Sequence, residues 1–373
     1  MEERTSAPNF SALSCLRSKE TIGLTIIFAG SLLISLDSVL LRLAVVRAGS
    51  HAEVTVFYKY VFASVIGVVS TGCLAGGPIR AWTILTQSRA SLLHILFGTL
   101  CLTGNSIVSC YGLLWADTVM VLALCSLNPF WVAFYTCLVR GERIQLHTVV
   151  AMLIALLCMC LIFLPTLLQP AVLNATVPDS SPKHGQRFTV GLVLGLLSGI
   201  FLGGAAVVGN SARRYELDAK TMALSAAISA LFTAIIAGVQ CGALRLTLHA
   251  SAGAVLLALA NGAVSCAFML AMVIAPMFIT PLEVTLVALL EPALAPVWVW
   301  AGFGELPNAF TIAGLALLLA TLALYEAYNY HMLADGERGP IPTRQKLLED
   351  EGELQSLRSG EGYAKGGIYG SSI

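Results

Sequence analysis

The apolar residues of this chain fall in long runs separated by short polar breaks. A helix needs about 20 apolar residues to cross a bilayer. Ten runs have that length: roughly 22–45, 54–75, 91–114, 118–139, 146–165, 190–210, 220–241, 251–275, 280–301 and 309–330. Links such as Trp115-Ala116-Asp117 and Ala275 to Pro281 are short enough to force their neighbours antiparallel. Arg17, Lys19 and Glu20 lead straight into the first run, which is too long for the core of a cleavable signal and is expected to stay as the first span. The pattern predicts an all-α integral membrane fold of ten transmembrane helices.

The runs also repeat. Leu127-Asn128-Pro129 is followed by Gly141-Glu142, and Leu290-Glu291-Pro292 by Gly304-Glu305, with twelve residues from proline to glycine in both. The two copies lie 163 residues apart, and Val121 and Val284, like Thr148 and Thr311, match at the same offset. Repetition inside hydrophobic segments is what duplication of a membrane unit leaves behind. A loop at 166–189, holding Pro170, Pro178, Ser180, Ser181 and Pro182, separates two halves of five spans. An odd number of spans per half turns the second half over, so the repeats at 21–165 and 190–330 are inverted. Inverted repeats supply an inward-facing and an outward-facing arrangement, which is the geometry of alternating access. Residues 1–20 read as a cytoplasmic tail, and 331–373, rich in Gly, Glu, Arg and Ser, as a disordered one.

Composition sharpens this picture. The chain has 373 residues, 57% hydrophobic and 11% charged, against about 25% charged in soluble domains. The formal net charge is zero, so no global field recruits nucleic acid. With both termini in the cytoplasm, that side carries fifteen Lys and Arg residues against four opposite, which satisfies the positive-inside bias. Asn174-Ala175-Thr176, a glycosylation sequon, then falls in the long lumenal or extracellular loop. Either the plasma membrane or an endomembrane fits. The ten cysteines are scattered, with no CxxC pair, and most lie inside spans as small hydrophobes. The end of the chain, Ser371-Ser372-Ile373, has the form of a strand that could add to a PDZ-type groove; the plainer reading is an uncapped end. A homodimer is compatible with the chain.

The stretch Leu290-Glu291-Pro292-Ala293-Leu294-Ala295-Pro296 with Gly304-Glu305, echoed at Asn128-Pro129 and Gly141-Glu142-Arg143, resembles the EamA-type repeat of the drug/metabolite transporter superfamily. The short third-to-fourth link and Lys59 early in the second span resemble it too, and the likeness covers roughly 20–330. It implies the ten-helix transporter architecture and leaves the substrate open among amino acids, other metabolites, nucleotide sugars and phosphorylated sugars. The first half departs from the pattern by carrying Asn128 where the second has Glu291.

The repeat places Glu291 and Asn128 near the middle of the membrane. A carboxylate there costs at least about 2.5 kcal/mol, so it is expected to face a cavity or a partner. Pro129, Pro292 and Pro296 remove backbone donors and can free carbonyls for a ligand. Glu283, eight residues before Glu291, is a candidate gate or an interface anchor. Lys59, flanked in sequence by Tyr58 and Tyr60, suits an anionic or aromatic substrate; alternatively it pairs internally with Asp37. Asn105, Tyr111 and Asn261 are polar groups at membrane depth that could line the cavity or bridge helices. Gly191, Gly195, Gly199 and Gly203 form a small-residue stripe suited to close helix packing. There is no HExxH, GxSxG or nucleotide-binding loop, so neither an enzyme nor a cofactor is expected. The chain reads as a secondary transporter for a small polar organic solute; the alternative is a membrane scaffold acting through its cytoplasmic tail.

Overall fold

A computed structural model describes residues 10–75, 88–115, 118–140, 145–168, 182–244, 246, 249–304 and 309–334. The regular elements are α1 (Phe10–Ile34), α2 (Asp37–Val46), α3 (Ala52–Ala75), α4 (Arg89–Trp115), α5 (Thr118–Cys125), α6 (Asn128–Arg140), α7 (Leu146–Leu168), α8 (Pro182–Arg214), α9 (Ala219–Ala243), α10 (Ala252–Ile274), α11 (Pro281–Ala288), α12 (Leu290–Phe303) and α13 (Ala309–Ala334). A single 3₁₀ turn, Ala275–Met277, follows α10, and no strand occurs among the described residues. Gly141, Glu142, Arg143, Asn174, Glu305 and the chain end with Ser371-Ser372-Ile373 lie outside them.

Among the described residues, eight segments are long and apolar enough to cross a membrane, by length and composition: Glu20–Val46, Ala52–Cys73, Arg89–Gly112, Thr189–Arg214, Ala219–Ala243, Ala252–Met277, Pro281–Phe303 and Ala309–Tyr328. The run read at 146–165 lies within α7, and the run at 118–139 is divided between α5 and α6. Two boundaries shift. α8 starts at Pro182, inside the stretch read as loop, because a proline at the first helical position gives up an N–H that would be unpaired anyway. α13 carries on past 330 to Ala334.

Large apolar side chains face outward along the helices, among them Val65, Val68 and Val69 on α3, Leu96, Phe97 and Leu100 on α4, and Phe232, Ile235 and Val239 on α9. Polar ones, including Lys59, Asn128, Asn210, Asn261 and Glu283, are buried. An apolar exterior is stable in lipid, where no hydrophobic penalty applies, whereas patches of this extent are rare on soluble monomers. This is an all-α, multi-pass membrane protein.

The interior holds two apolar clusters. One joins α1, α6, α7, α11, α12 and α13 around Ile27, Met272, Leu286 and Leu318. The other joins α3, α4 and α9 around Leu102, Met222 and Val273. α8 and α10 contribute to both, with Leu202 and Phe268 in the first and Ala205 and Met269 in the second, so these two helices form the middle of the bundle.

Small residues set the closest approaches. A Cβ on Gly195 would sit 3.2 Å from the Val121 backbone, one on Gly199 3.3 Å from the Cys125 carbonyl, and one on Gly203 3.3 Å from the Asn128 carbonyl. The glycine stripe therefore seats the α5–α6 pair directly on α8. On the other side, α9 packs against α3 and α4 through Ala223, Ser225, Ala226, Ser229 and Ala230, all buried. Hydroxyls stitch this contact: Thr71 donates to the Ala223 carbonyl (3.3 Å), Thr99 to the Ser225 carbonyl (3.3 Å), and Thr103 to the Ser229 carbonyl (3.4 Å) and hydroxyl (3.1 Å).

Candidate functional site

Among the described residues, three of the apolar runs are broken inside. The chain turns at Ser35-Leu36 between α1 and α2, at Ser126-Leu127 between α5 and α6, and at Leu289 between α11 and α12. Two breaks follow from proline chemistry. Pro129 and Pro292 lack an N–H, and each ring collides with the carbonyl four residues back, Cys125 and Ala288, which is where the preceding helices end. In the first turn of the next helix the missing N–H is harmless. The break at Ser35-Leu36 has no proline; there the Ser35 hydroxyl donates to the Leu32 carbonyl at 2.6 Å and competes with the helical ladder. The first span, read from sequence as continuous, is thus two helices.

Each break puts a candidate residue in the first turn of the following helix: Asp37 in α2, Asn128 in α6 and Glu291 in α12. The positive end of the helix dipole favours the two carboxylates there. The same break separates Glu283 from Glu291, so they are not two points on one straight helix. Glu283 instead closes a capping box: its carboxylate accepts from the Thr280 backbone at 2.9 Å while its own N–H donates to the Thr280 hydroxyl at 3.3 Å.

Lys59 Nζ donates to Asp37 Oδ1 at 2.6 Å, with side-chain exposures of 5% and 19%. The ammonium also lies 5.1 Å from the centre of the Tyr60 ring. Tyr60 Oη in turn lies 3.9 Å from Cys110 Sγ. Tyr58, expected as the second aromatic wall around Lys59, points elsewhere and packs with Phe57 and Phe62. Helix geometry explains this correction: residues two apart are about 200° apart round the axis.

α12 is held against α1 and α2 by a polar seam. Trp298 Nε1 donates to the Ser35 hydroxyl at 2.7 Å, Arg47 donates to the Gly302 carbonyl at 3.0 Å, and the Arg42 guanidinium lies 4.4 Å from the Phe303 ring centre. Trp298 is two turns beyond Glu291, so both occupy the same face of α12. Gly304, in the left-handed region at φ 73°, ends α12 with its N–H on the Trp300 carbonyl at 2.8 Å. That is the physical content of the glycine in the repeated motif.

Asn261 on α10 donates to the Asp37 carbonyl at 3.3 Å, which ties α10 to the first break. Its Oδ1, and that of Asn128, are buried without a hydrogen-bond partner among the described residues; so are the hydroxyls of Ser31, Ser38 and Ser265. Asn105 joins a separate link, accepting from the Ser198 hydroxyl at 2.7 Å between α4 and α8. Cys125 donates to the Gly195 carbonyl at 3.4 Å beside it. Tyr111 lies on the other side of Cys110, lining a cleft of about 20 Å³ with Glu53, Ser106, Thr233 and Gln240, room for about one water.

Comparison with known proteins adds shape. No family model matches the chain, and no curated protein matches it. One solved structure, described only as the crystal structure of a protein, superposes with a TM-score of 0.62. It is 15% identical, covering 84% of this chain and 99% of that chain. At that identity the likeness is one of fold alone.

The structure thus brings together Asp37, Lys59 and Asn261, with Glu291 on the helix that Trp298 ties to Ser35 and Asn128 one turn beyond Cys125. Asn105, Tyr111 and Tyr58 make contacts elsewhere, with Ser198, in the cleft beside Glu53, and with Phe57 and Phe62. Sequence reading missed Ser35 and Trp298, for which no spacing gives a cue. It also passed over Asn210, a buried polar residue in an apolar run that donates to the Pro276 carbonyl at 2.8 Å and the Ile279 carbonyl at 3.4 Å. No cluster of three or more His, Cys, Asp or Glu suited to a metal occurs among the described residues.

Proposed function

We propose that this protein is a secondary transporter that moves a small polar organic solute across a membrane by alternating access. The observation that carries this reading is the ion pair at the first broken helix, Asp37 with the buried Lys59, with Glu291 placed in the first turn after a second break. Ionisable groups inside a membrane bundle mark transport pathways more often than they serve stability, because isolated burial is costly. Discontinuous helices that meet near the middle of the membrane are the usual framework of such sites. On this reading the chain has ten spans, counting α5–α6 and α7, arranged as two inverted five-span halves, and it is a member of the drug/metabolite transporter superfamily of the EamA type. Both termini are cytoplasmic and Asn174 is lumenal or extracellular.

A bilayer-reconstituted preparation tests it. Purified protein is screened for thermal stabilisation by a metabolite library, since a ligand of the native state raises apparent stability, and hits are assayed for exchange in proteoliposomes. Glu291→Gln keeps the shape and removes the charge; it is expected to abolish exchange while folding and inserting normally. Wild-type exchange by that variant would overturn the assignment of Glu291.

A further inference from the structure

α11 has eight residues, about 12 Å of helix. It begins just after the 3₁₀ turn that ends α10 and stops before Leu289, the single residue that joins it to α12. It therefore fills the length between one end of the bundle and Glu291. All of its residues but Leu282 are buried, packed on α1, α6 and α8. Its two attachments differ in kind. At the inner end Pro292 offers no N–H to the Ala288 carbonyl, so the helical ladder does not carry across Leu289. At the outer end the joint is made by α8. Asn210, 2% exposed, donates through Nδ2 to the Pro276 carbonyl at 2.8 Å and the Ile279 carbonyl at 3.4 Å, and Arg213 donates to the Phe278 carbonyl at 3.3 Å. The N–H groups of Phe278 and Ile279 already bond the Ala275 carbonyl. The carbonyls of the turn are what remains, and α8 side chains take three of them. The Thr280–Glu283 capping box then joins this turn to the start of α11 as one unit. The fit is close: a Cβ on Gly209 would lie 2.6 Å from the Val273 carbonyl, and one on Gly23 of α1 2.8 Å from Phe278 Cβ. At the other end of α10 the ties are exposed: Ser251 donates to the Ala48 carbonyl at 3.1 Å, and Arg47 to the Gly302 carbonyl. One end of the bundle is fastened in its interior, the other at its rim.

We propose that α11 is the gate at this end of the bundle, hinged at Leu289 and latched shut by Asn210 and Arg213. A small shift of α8 would trade the three side-chain bonds for bonds to water and free α11 to swing on Leu289, which opens a way to Glu291. Hinges of this kind are a few residues at element ends that absorb the change in backbone angles. The inference rests on the transport reading for its purpose and deepens it: on that reading the gate faces the cytoplasm, and the structure is the state closed to it. The motion itself is measurable without any solute.

The test uses the full chain in detergent, with a membrane-impermeant maleimide as probe and peptide mass spectrometry to separate the new cysteine from the native ones. Thr285→Cys reports on α11. Ser225→Cys on α9 is the control, since both positions are 0% exposed and both lie within the first two turns of their helices. With the latch intact, Thr285→Cys is expected to label at least about tenfold faster than Ser225→Cys. Adding Asn210→Ala should speed Thr285→Cys by about tenfold again, the factor that losing buried hydrogen bonds implies, and leave Ser225→Cys unchanged. Arg213→Gln should give a smaller gain at the same position. Equal rates at the two positions with the latch intact overturn the gate, because α11 then opens only when the whole bundle does. An equal gain at both positions in Asn210→Ala overturns it as general loosening, and so does no gain in either latch variant. If Asn210→Ala fails to fold, the intact-latch comparison and Arg213→Gln still decide. Labelling as expected, with no solute exchanged in proteoliposomes, supports the gate and overturns the transport reading alone.

Discussion

Lys59 and Asp37 are the pair whose roles separate most cleanly by mutation. With 5% and 19% of their side chains exposed at a 2.6 Å contact, each charge has little water to replace its partner, Lys59 least. Removing one alone strands the other in low dielectric, at roughly 3–5 kcal/mol when burial is complete. Lys59→Met and Asp37→Leu are each expected to lower the melting temperature, and the double variant to recover most of the loss. A double variant no more stable than either single would show that the two charges are not coupled. The sequence placed a cation, a carboxylate and two tyrosines in neighbouring spans but left open whether Lys59 faces a substrate or Asp37. Side-chain direction across two helices decides that, and no spacing within one span encodes it. Tyr58 shows the same limit: adjacency in sequence became divergence round the helix.

The helices are positioned by small residues as much as by large ones. A Cβ on Gly262 would lie 2.5 Å from the Lys59 carbonyl and 2.9 Å from Phe62 Cβ, and a backbone oxygen cannot swing aside. Gly262→Ala should therefore push α10 off α3 and cost about 1–3 kcal/mol, the range for overpacking. Thermal unfolding checks this; an unchanged melting temperature would mean that the α3–α10 contact is looser than its geometry indicates. Because Gly262 lies beside Asn261, ligand-induced stabilisation should weaken in parallel. At this scale the sequence was informative wherever proline is the cause: Pro129 and Pro292 announce their breaks. Ser35-Leu36 was illegible, because a serine inside an apolar run usually leaves the helix intact. The glycine stripe on α8 was legible as a packing face, but its partner, the α5–α6 pair, was not.

For the whole molecule, the legible part was the class: long apolar runs translate directly into helices with apolar outer faces. The count of ten spans and the inversion of the halves stay with the proposal, since the candidate spans among the described residues number eight. Orientation gives the sharpest test at this scale. If both termini are cytoplasmic, Asn174 meets the glycosylation machinery in a eukaryotic host. Glycosidase should then increase gel mobility, and Asn174→Gln should abolish the change. Terminal tags accessible from outside intact cells would reverse the topology. The alternation of access that the proposal requires would have to be carried by α8 and α10, because these two helices alone among those described link both apolar clusters.

The hydroxyl contacts between α4 and α9 have a consequence for that motion. Thr99 and Thr103 stand one turn apart, and their acceptors at Ser225 and Ser229 stand one turn apart in the same direction. Thr233 continues the row another turn along α9. The contact is therefore degenerate in register, like a rack whose teeth are evenly cut. A slip of one turn, about 5.4 Å, would bring Thr99 opposite Ser229 and Thr103 opposite Thr233. A contact whose polar partners recur at every turn can be met at two positions, which is what a reversible two-position mechanism needs.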